Sequence, residues 1–361
     1  MSDTSWLQAQ LPVSLCGMGM RSASRHVSAA YLSSQLQSEA LCNQMLDRDS
    51  DTATVCPSTH NALVHLSSIL QLEEPLVVGQ VAAMSQKELS TRVDEVSHQQ
   101  LLDSVTEVTD KARLASLGLP HSGDWLFVIP CPTLGLRLRG TEFRVAALYR
   151  LGMPVFATGG FCVACGHDSS DRYSRDGHHA IICGSQGERI ARHNHLRDAI
   201  YATAASAHLA PTKEDKALLP NTENRPADVM IPHFIGGLHA GLDISVINSL
   251  QTLTVNRAAT EPGYALTLRH QQKWSKYGDA CLAEGIRFCP MIVEALGGWH
   301  VEAVKILKKL GVALARATGG DEGEVVKQLF GRLSILLQKD NSILILNRTP
   351  TTVNAEIDGY L

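Results

Sequence analysis

A short cysteine and histidine pattern constrains this chain more than any other feature of its sequence. Cys162 and Cys165 are followed by His179 and Cys183, in the spacing C-x2-C-x13-H-x3-C, within a segment rich in glycine, serine and aspartate. Such a segment has too few apolar side chains to bury a core of its own, so it needs another source of order. Two close ligand pairs around one tetrahedral ion supply it, and the pattern predicts a structural zinc module over residues 160–187.

The fourth zinc ligand stays open at the level of sequence. His167 and His178 are close enough along the chain to take the place of His179. The alternative interpretation of the whole pattern is a set of free cysteines beside a chance histidine. The nine cysteines of the chain are odd in number and scattered, which argues against a disulfide framework and for a reducing compartment.

Composition excludes several classes of protein. The chain has 361 residues, of which 44% are hydrophobic and 19% are charged, enough for two or three domains with real cores. The formal net charge of −4 excludes a histone-like basic protein. The sequence contains no apolar run long enough to span a membrane and no visible secretory signal at its start.

Apolar spacing predicts the order of the structural elements. Residues 1–110 have helical spacing, and residues 125–156 are more typical of strands, apart from a short helix expected over 145–151. Farther along, we expect strands over 229–234, 242–247 and 286–293, and helices over 188–209, 271–284, 299–318 and 321–337. In the first of these helices, Ile190, Leu196, Ile200 and Ala204 are the expected inward positions.

Two aspartates and a lysine form a second candidate site. Asp228 precedes one predicted strand and Asp243 lies at the start of the next, and a hairpin would bring them to one end of neighbouring strands. Two such carboxylates could chelate Mg²⁺, which prefers oxygen ligands. Lys273, on a predicted helix, could orient or help deprotonate an attacking water. The alternative interpretation is that the aspartates are ordinary turn residues and that the lysine lies on a solvated helix face.

Motifs on both sides of the zinc pattern resemble one family. After it come, in order, Arg192-His-Asn, Arg225-Pro-Ala-Asp228, Ala240-Gly-Leu-Asp-Ile, Lys273 and Val293-Glu-Ala-Leu-Gly-Gly-Trp299. Together they resemble the C-terminal restriction-like endonuclease region of reverse transcriptases from early-branching non-LTR retrotransposons, a branch of the PD-(D/E)xK nucleases. Upstream, residues 11–22 resemble the segment just beyond the polymerase palm, and residues 134–152 resemble the connector that follows it.

The resemblance implies an α+β fold in four parts. These are a helical remnant following the polymerase palm (1–110), a connector (111–159), the CCHC zinc module (160–187) and a nuclease domain (188–361). The last part is expected to be PD-(D/E)xK-like, with a central mixed sheet flanked by helices. The sequence contains no polymerase aspartate pair, so we expect a C-terminal piece of a longer protein, without polymerase activity.

The resemblance also assigns catalytic roles by position. Asp228 and Asp243 resemble the carboxylates that hold catalytic Mg²⁺, and Lys273 resembles the catalytic lysine, which in this branch lies on the helix. Ser245 occupies the place that this lysine has elsewhere in the superfamily. His193 resembles the histidine of a basic motif near the active site and could hold a phosphate or a water. A histidine satisfied by its own helix surroundings is the alternative.

Five further residues complete the candidate set. Glu294 lies in a family-like motif and is counted with the catalytic candidates, with a structural ion pair as the alternative. Arg189, Arg192 and Arg197 could share one helical side and bind nucleic acid. Arg225 could contact a phosphate or cap its loop. Basic and acidic side chains are almost equal in number in the C-terminal half, so any binding of nucleic acid must depend on a local patch.

The expected function is Mg²⁺-dependent nicking of target DNA to prime reverse transcription, in the nucleus after synthesis in the cytoplasm. The expected partners are DNA, element RNA and the missing polymerase body, with no membrane. One departure bears on this: Ala227 separates Pro226 from Asp228, giving P-x-D in place of P-D, which a bulge could absorb. The alternative functions are a catalytically inactive, zinc-stabilised nucleic-acid-binding remnant and a zinc-stabilised scaffold.

Overall fold

The chain divides into two compact units, residues 1–106 and residues 107–361. A computed structural model describes residues 2–46, 55–156, 161–166, 175–185, 187–214, 218–219 and 225–348. Among these residues, no helix is long and apolar enough to cross a membrane.

The first unit is helical. Its helices are α1 (Asp3–Gln10), α2 (Ala23–Met45), α3 (Pro57–Ile69), α4 (Val78–Ala82) and α5 (Gln86–Ser104). Leu32 of α2, Leu66 of α3 and Leu89 of α5 are fully buried in a common apolar cluster. Ser85 and Glu88 form a capping box at the start of α5, which satisfies two backbone N–H groups at that end.

The second unit contains helices on both sides of one sheet. Its helices are α6 (Val108–Leu117), α7 (Gly140–Arg150), α8 (His178–Ile182), α9 (Glu188–Ser206), α10 (Val255–Ala258), α11 (Tyr264–Ala283), α12 (Val301–Thr318) and α13 (Glu322–Leu346). Its strands are β1 (Thr212–Lys213), β2 (Val229–Ile235), β3 (Leu238–Ile247) and β4 (Ile286–Glu294). The observed fold is therefore α+β, with a helical N-terminal region followed by a mixed sheet packed with helices, as the sequence predicted.

The sheet has the strand order β1-β2-β3-β4. β2 pairs antiparallel with β1 and β3, whereas β3 and β4 are parallel. Parallel neighbours need a crossover connection, and α11 lies in the segment that makes it. Gly236 and Gly237 join β2 to β3 with positive φ angles of 57° and 83°, the backbone that a tight two-residue hairpin demands.

Two helical layers cover the two faces of this sheet. On one face, Leu196 and Ile200 of α9, Leu307 of α12 and Leu333 of α13 are buried with alternate residues of the strands. On the other face, α11 contributes Cys281 and the partly buried Trp274 and Tyr277, which pack against the start of β4. Because α9 and α11 lie on opposite faces, groups from both helices can meet only at an edge or an end of the sheet.

The structure corrects several sequence expectations. Ile190 is 66% exposed rather than inward, whereas the other three positions predicted for that helical face are buried. The strand-like part of the segment 125–156 contains 3-10 turns at Asp124–Phe127 and Pro132–Leu134, whereas α7 confirms the short helix predicted over 145–151, with an earlier start. Its period-2 pattern has no partner strand in the described part of the chain, apart from one isolated bridge between Cys131 and Leu136.

The last helix is longer than expected. The sequence predicts an end near residue 337, but α13 continues to Leu346. Its polar residues are buried and bonded rather than solvated: Asn341 donates to the carbonyl of Ala295, and Ser342 donates to the carbonyl of Glu142 at 2.9 Å. A polar helix segment can remain helical and buried when neighbouring carbonyls accept its hydrogen bonds.

We predict that Leu333→Ala lowers the free energy of unfolding of the second unit by about 2–5 kcal/mol, because it leaves a cavity between α13 and the sheet. Leu282→Ala, at a leucine that is 48% exposed, is the control and should cost less than about 1 kcal/mol. Chemical denaturation followed by circular dichroism measures both. Equal losses in the two variants would contradict the assigned core.

Candidate functional site

The predicted zinc ligands form one cluster. The ligand atoms of Cys162, Cys165, His179 and Cys183 all lie within 4.8 Å of one another. The sulfurs of Cys162 and Cys183 are 3.9 Å apart, and the Cys165 sulfur is 3.3 Å from His179 Nε2. Ligands at zinc–sulfur distances of ~2.3 Å around a tetrahedral ion are separated by roughly 3.8 Å. The cluster could therefore bind a structural metal such as zinc.

Local backbone geometry explains how the four ligands converge. The N–H of Gly166 donates to the carbonyl of Cys162 at 2.8 Å, which closes a tight turn around the first ligand pair. Gly166 has a φ of 71°, which favours glycine at that position. The second pair spans one turn of α8, where the N–H of Cys183 donates to the carbonyl of His179 at 2.8 Å.

The geometry also favours one of the rival histidines. His179 belongs to the cluster, whereas the buried His178 lies edge-on to the ring of Tyr149 with ring centroids 5.3 Å apart. His167 lies outside the described residues. Burial acts to raise the pKa of the Cys183 thiol, but hydrogen bonds from Ser185 and Arg348 outweigh it and lower the pKa to about 7. A thiol with a lowered pKa forms the thiolate that binds metal more readily.

We predict that the purified protein contains about one equivalent of zinc and that Cys165→Ser loses it, because three ligands hold the ion far less tightly than four. Cys131→Ser removes a thiol from the same unit that lies outside the cluster and should keep the metal. Elemental analysis of the dialysed proteins gives the result. An unchanged zinc content in Cys165→Ser would remove this cluster as a metal site.

The second candidate site depends on the register of β2 and β3. Next to the hairpin turn, Ile235 pairs with Leu238, but beyond an irregularity in β2 Val229 pairs with Leu242. The register therefore shifts by two residues between the turn and the far end of the hairpin. The later register places Asp228 across from Asp243, whereas the register of the turn would place it across from Ser245. A bulge in β2 therefore brings the two aspartates into neighbouring positions.

Asp228 continues the sheet where β2 begins. Its N–H donates to the carbonyl of Leu242 at 2.8 Å, and its carboxylate Oδ2 accepts the N–H of Ile244 at 2.6 Å. Its Oδ1 lies 3.2 Å from Nε2 of His193, which α9 supplies. This hydrogen bond raises the pKa of His193, although burial acts to lower it. The backbone of β3 and the imidazole together fix the direction of the Asp228 carboxylate.

Asp243 is held from the opposite face of the sheet. Nζ of Lys273 on α11 lies 3.0 Å from its Oδ1 and 2.9 Å from its Oδ2. Burial raises the pKa of Asp243 to about 6, although the charge of Lys273 acts in the opposite direction. The negative charge of Asp228 also raises this pKa. The two carboxylates therefore interact, with the His193 imidazole beside one and the Lys273 ammonium beside the other.

These four side chains line one cavity of about 730 Å³ at the open edge of β3. The first turn of α9, residues 244–248 of β3 and the following loop, and one face of α11 form its walls. The polar lining includes groups that sequence analysis did not single out, namely Asn248, Gln251, Thr254, Arg269 and Gln272. Of these residues, Arg269 could have been found from the sequence, because it precedes Lys273 by four residues and so lies on the same helical face.

The four predicted nucleic-acid-binding arginines have different surroundings. Arg189 is exposed at the cavity, and its Nη1 donates to the carbonyl of Ile182 at 3.0 Å. Arg192 is 3% exposed and donates to Asn341 of α13 at 2.6 Å. Arg197 and Arg225 both form ion pairs with Glu214. The structure thus does not bring the four together as one patch.

Glu294 lies apart from the cavity lining. It ends β4, is 2% exposed and accepts a hydrogen bond from the Ser249 hydroxyl. Burial raises the pKa of Glu294, and the hydroxyls of Ser249 and Ser116 act to lower it. In the described part of the chain, its carboxylate forms no ion pair, so the predicted structural ion pair is not observed there.

Comparison with known proteins gives no family for this chain. No protein-family model matches it, and no curated protein matches it.

The raised pKa of Glu294 predicts a pH-dependent stability. The folded protein keeps this proton to a higher pH than the unfolded chain does. Ionisation of the group therefore lowers the free energy of unfolding as the pH rises from about 4 through the folded pKa. Glu294→Gln should remove that loss and be more stable than the parent protein at pH 8 but not at pH 4. Thermal melts at the two pH values give the comparison.

Glu302→Gln is the control for this experiment. The pKa of Glu302 is lowered, chiefly by its hydrogen bond with Lys305, so its removal should not stabilise the protein at pH 8. A parent protein and Glu294→Gln variant with the same pH dependence would show that Glu294 does not resist ionisation.

Proposed function

We propose that the second unit hydrolyses phosphodiester bonds of DNA in a reaction that depends on a divalent metal ion. The observation that carries this proposal is the cavity in which Asp228 and Asp243 interact, each held by a cationic side chain from a different helix. The order of the motifs supports a further proposal, that the chain is the nuclease region of a retrotransposon-derived protein of the PD-(D/E)xK type. Its role would then be to nick target DNA for reverse transcription in the nucleus.

The carboxylates suit a hard cation. Nζ of Lys273 lies 3.0 Å from Oδ1 and 2.9 Å from Oδ2 of Asp243, so this ammonium balances the charge of the carboxylate. A carboxylate oxygen can accept more than one contact, so Asp228 and Asp243 keep lone pairs on neighbouring strands for a hard cation. Asp228 and Asp243 would hold Mg²⁺, which when bound would stabilise negative charge on the scissile phosphate.

Lys273 and His193 would act on the phosphate from two sides of the sheet. As an ammonium beside Asp243, Lys273 stabilises negative charge that develops on the phosphate oxygens. His193 is hydrogen-bonded to Asp228, and this hydrogen bond raises its pKa and so favours the protonated form. A protonated imidazole can donate its proton to the oxygen that leaves as water attacks phosphorus. The bond from phosphorus to the leaving oxygen breaks as the new P–O bond forms, the attacking water releases one proton to solvent, and the products are a phosphomonoester and an alcohol.

We predict that Asp228→Asn lowers plasmid nicking in Mg²⁺ by ~10²-fold or more, since metal-assisted hydrolysis needs the charge of the carboxylate. An asparagine keeps an acceptor for the N–H of Ile244, so the sheet should remain intact. Asp279→Asn removes an exposed carboxylate of α11 that does not line the cavity and should nick as the parent protein does.

Two results would contradict the proposal. Equal nicking by the parent protein and Asp228→Asn would exclude this site as the source of activity. DNA binding without any nicking by the parent protein would support the inactive nucleic-acid-binding remnant instead.

A further inference from the structure

The two cationic groups of the site occupy equivalent places on their helices. His193, which contacts Asp228, and Lys273, which contacts Asp243, are each preceded at four residues by an arginine, Arg189 on α9 and Arg269 on α11. Residues four apart lie on the same helical face, one turn or ~5.4 Å apart along the axis. Both arginines line the cavity. Each wall of the cavity therefore presents an arginine one turn away from the group that holds a carboxylate.

Several other arginines of the second unit have a carboxylate partner. Arg197 and Arg225 bind Glu214, Arg257 binds Glu261, and Arg348 binds Glu188. Within the described residues, by contrast, neither Arg189 nor Arg269 forms an ion pair with a carboxylate.

The hydrogen-bond acceptors of the two arginines are neutral. Arg189 donates to a backbone carbonyl, and Arg269 donates to the side-chain oxygen of Gln272 at 3.4 Å. An arginine without a bound carboxylate, at the rim of a cavity with two carboxylates, is available to an anion such as a phosphate.

The directions of α9 and α11 place the positive charges of Arg189 and Arg269 at the same end of the sheet. α11 leads back from the end of β3 to the start of β4, so its N-terminal turns lie beside the end of β3. α9 also begins at the cavity, which Gly187 at its N-terminus lines. The positive end of the α9 dipole therefore favours an anion near Arg189, in its first turn, and α11 begins at the same end of the sheet.

We propose that Arg269 binds the phosphate next to the scissile one, with Arg189 on the opposite wall, so that the substrate is a continuous polynucleotide backbone and not a single phosphodiester. This inference rests on the proposed nuclease function of the same cavity. One phosphate lies at Asp228 and Asp243, and a neighbouring phosphate of the same strand meets Arg269 one helical turn away. Lys276, three residues after Lys273, is exposed and does not line the cavity.

The test compares Arg269→Gln with Lys276→Gln in the full-length chain. Both variants lose one positive charge from α11, so their net charge is the same. Binding of a short fluorescein-labelled DNA duplex is measured by fluorescence anisotropy without added Mg²⁺ and without a chelator, so that cleavage does not interfere and the Cys3His cluster keeps its metal. Arg269→Gln should bind about tenfold more weakly than Lys276→Gln, and the slope of log affinity against log salt should fall by about 1. Arg269→Lys should recover part of the affinity, because it keeps the charge but not the fork of donors.

Competition with oligonucleotides of increasing length separates a phosphate contact from a general structural effect. For Lys276→Gln, affinity should rise when a second phosphate is added to a dinucleotide, and for Arg269→Gln this gain should be lost. Equal affinities of the two variants at every length, or an equal loss for the dinucleotide and the longer strands, would overturn the assignment.

The proposed function is judged separately, by nicking in Mg²⁺. A parent protein that binds DNA but does not nick it would refute hydrolysis, and the anisotropy comparison would still decide the role of Arg269.

Discussion

The hydrogen bond from the N–H of Ile244 to the carboxylate of Asp228 is the contact on which the candidate site depends. β2 begins at Val229, so on this edge of β3 the partner beyond that point is a side chain, while β4 pairs with the other edge as far as Ile247. The carboxylate continues the ladder by one step and leaves the rest of β3 open at the cavity. The bulge in β2 makes this possible, because the register of the hairpin turn alone would place Ser245 across from Asp228.

The two sides of the site are supplied by helices that do not share a face of the sheet. α9 carries His193 and is anchored through Arg192, whose guanidinium donates to Asn341 of α13. Asn341 and Gln338 in turn donate to the carbonyl of Ala295, just after β4. These buried, bonded polar groups fix α9 against the sheet more specifically than apolar packing does, since each donor has a defined acceptor. Lys273 approaches from α11 on the other face.

The metal cluster is joined to the same helix. Arg348 forms an ion pair with Glu188, in the first turn of α9, and donates to the carbonyl of Cys183. Arg189 donates to the carbonyl of Ile182, next to this ligand. The order of the cluster and the position of the first turn of α9 therefore depend on common contacts. The Cys3His cluster therefore adjoins the cavity at Asp228 and Asp243. A metal bound in the cluster would help to hold the start of α9, which forms one wall of this cavity.

Sequence by itself determined the Cys3His cluster apart from the choice of histidine, the α+β class and most of the strands and helices after residue 188. Those features follow from ligand spacing and apolar periodicity, which are local. The sequence also singled out Asp228, Asp243, His193 and Lys273. It did not predict that His193 contacts Asp228 and that Lys273 contacts Asp243. The tertiary structure decided that Arg192 is interior, that Arg197 and Arg225 bind Glu214, and that Arg269 lines the cavity. Such differences arise because the partner of a charged side chain comes from distant parts of the chain, which no local pattern encodes.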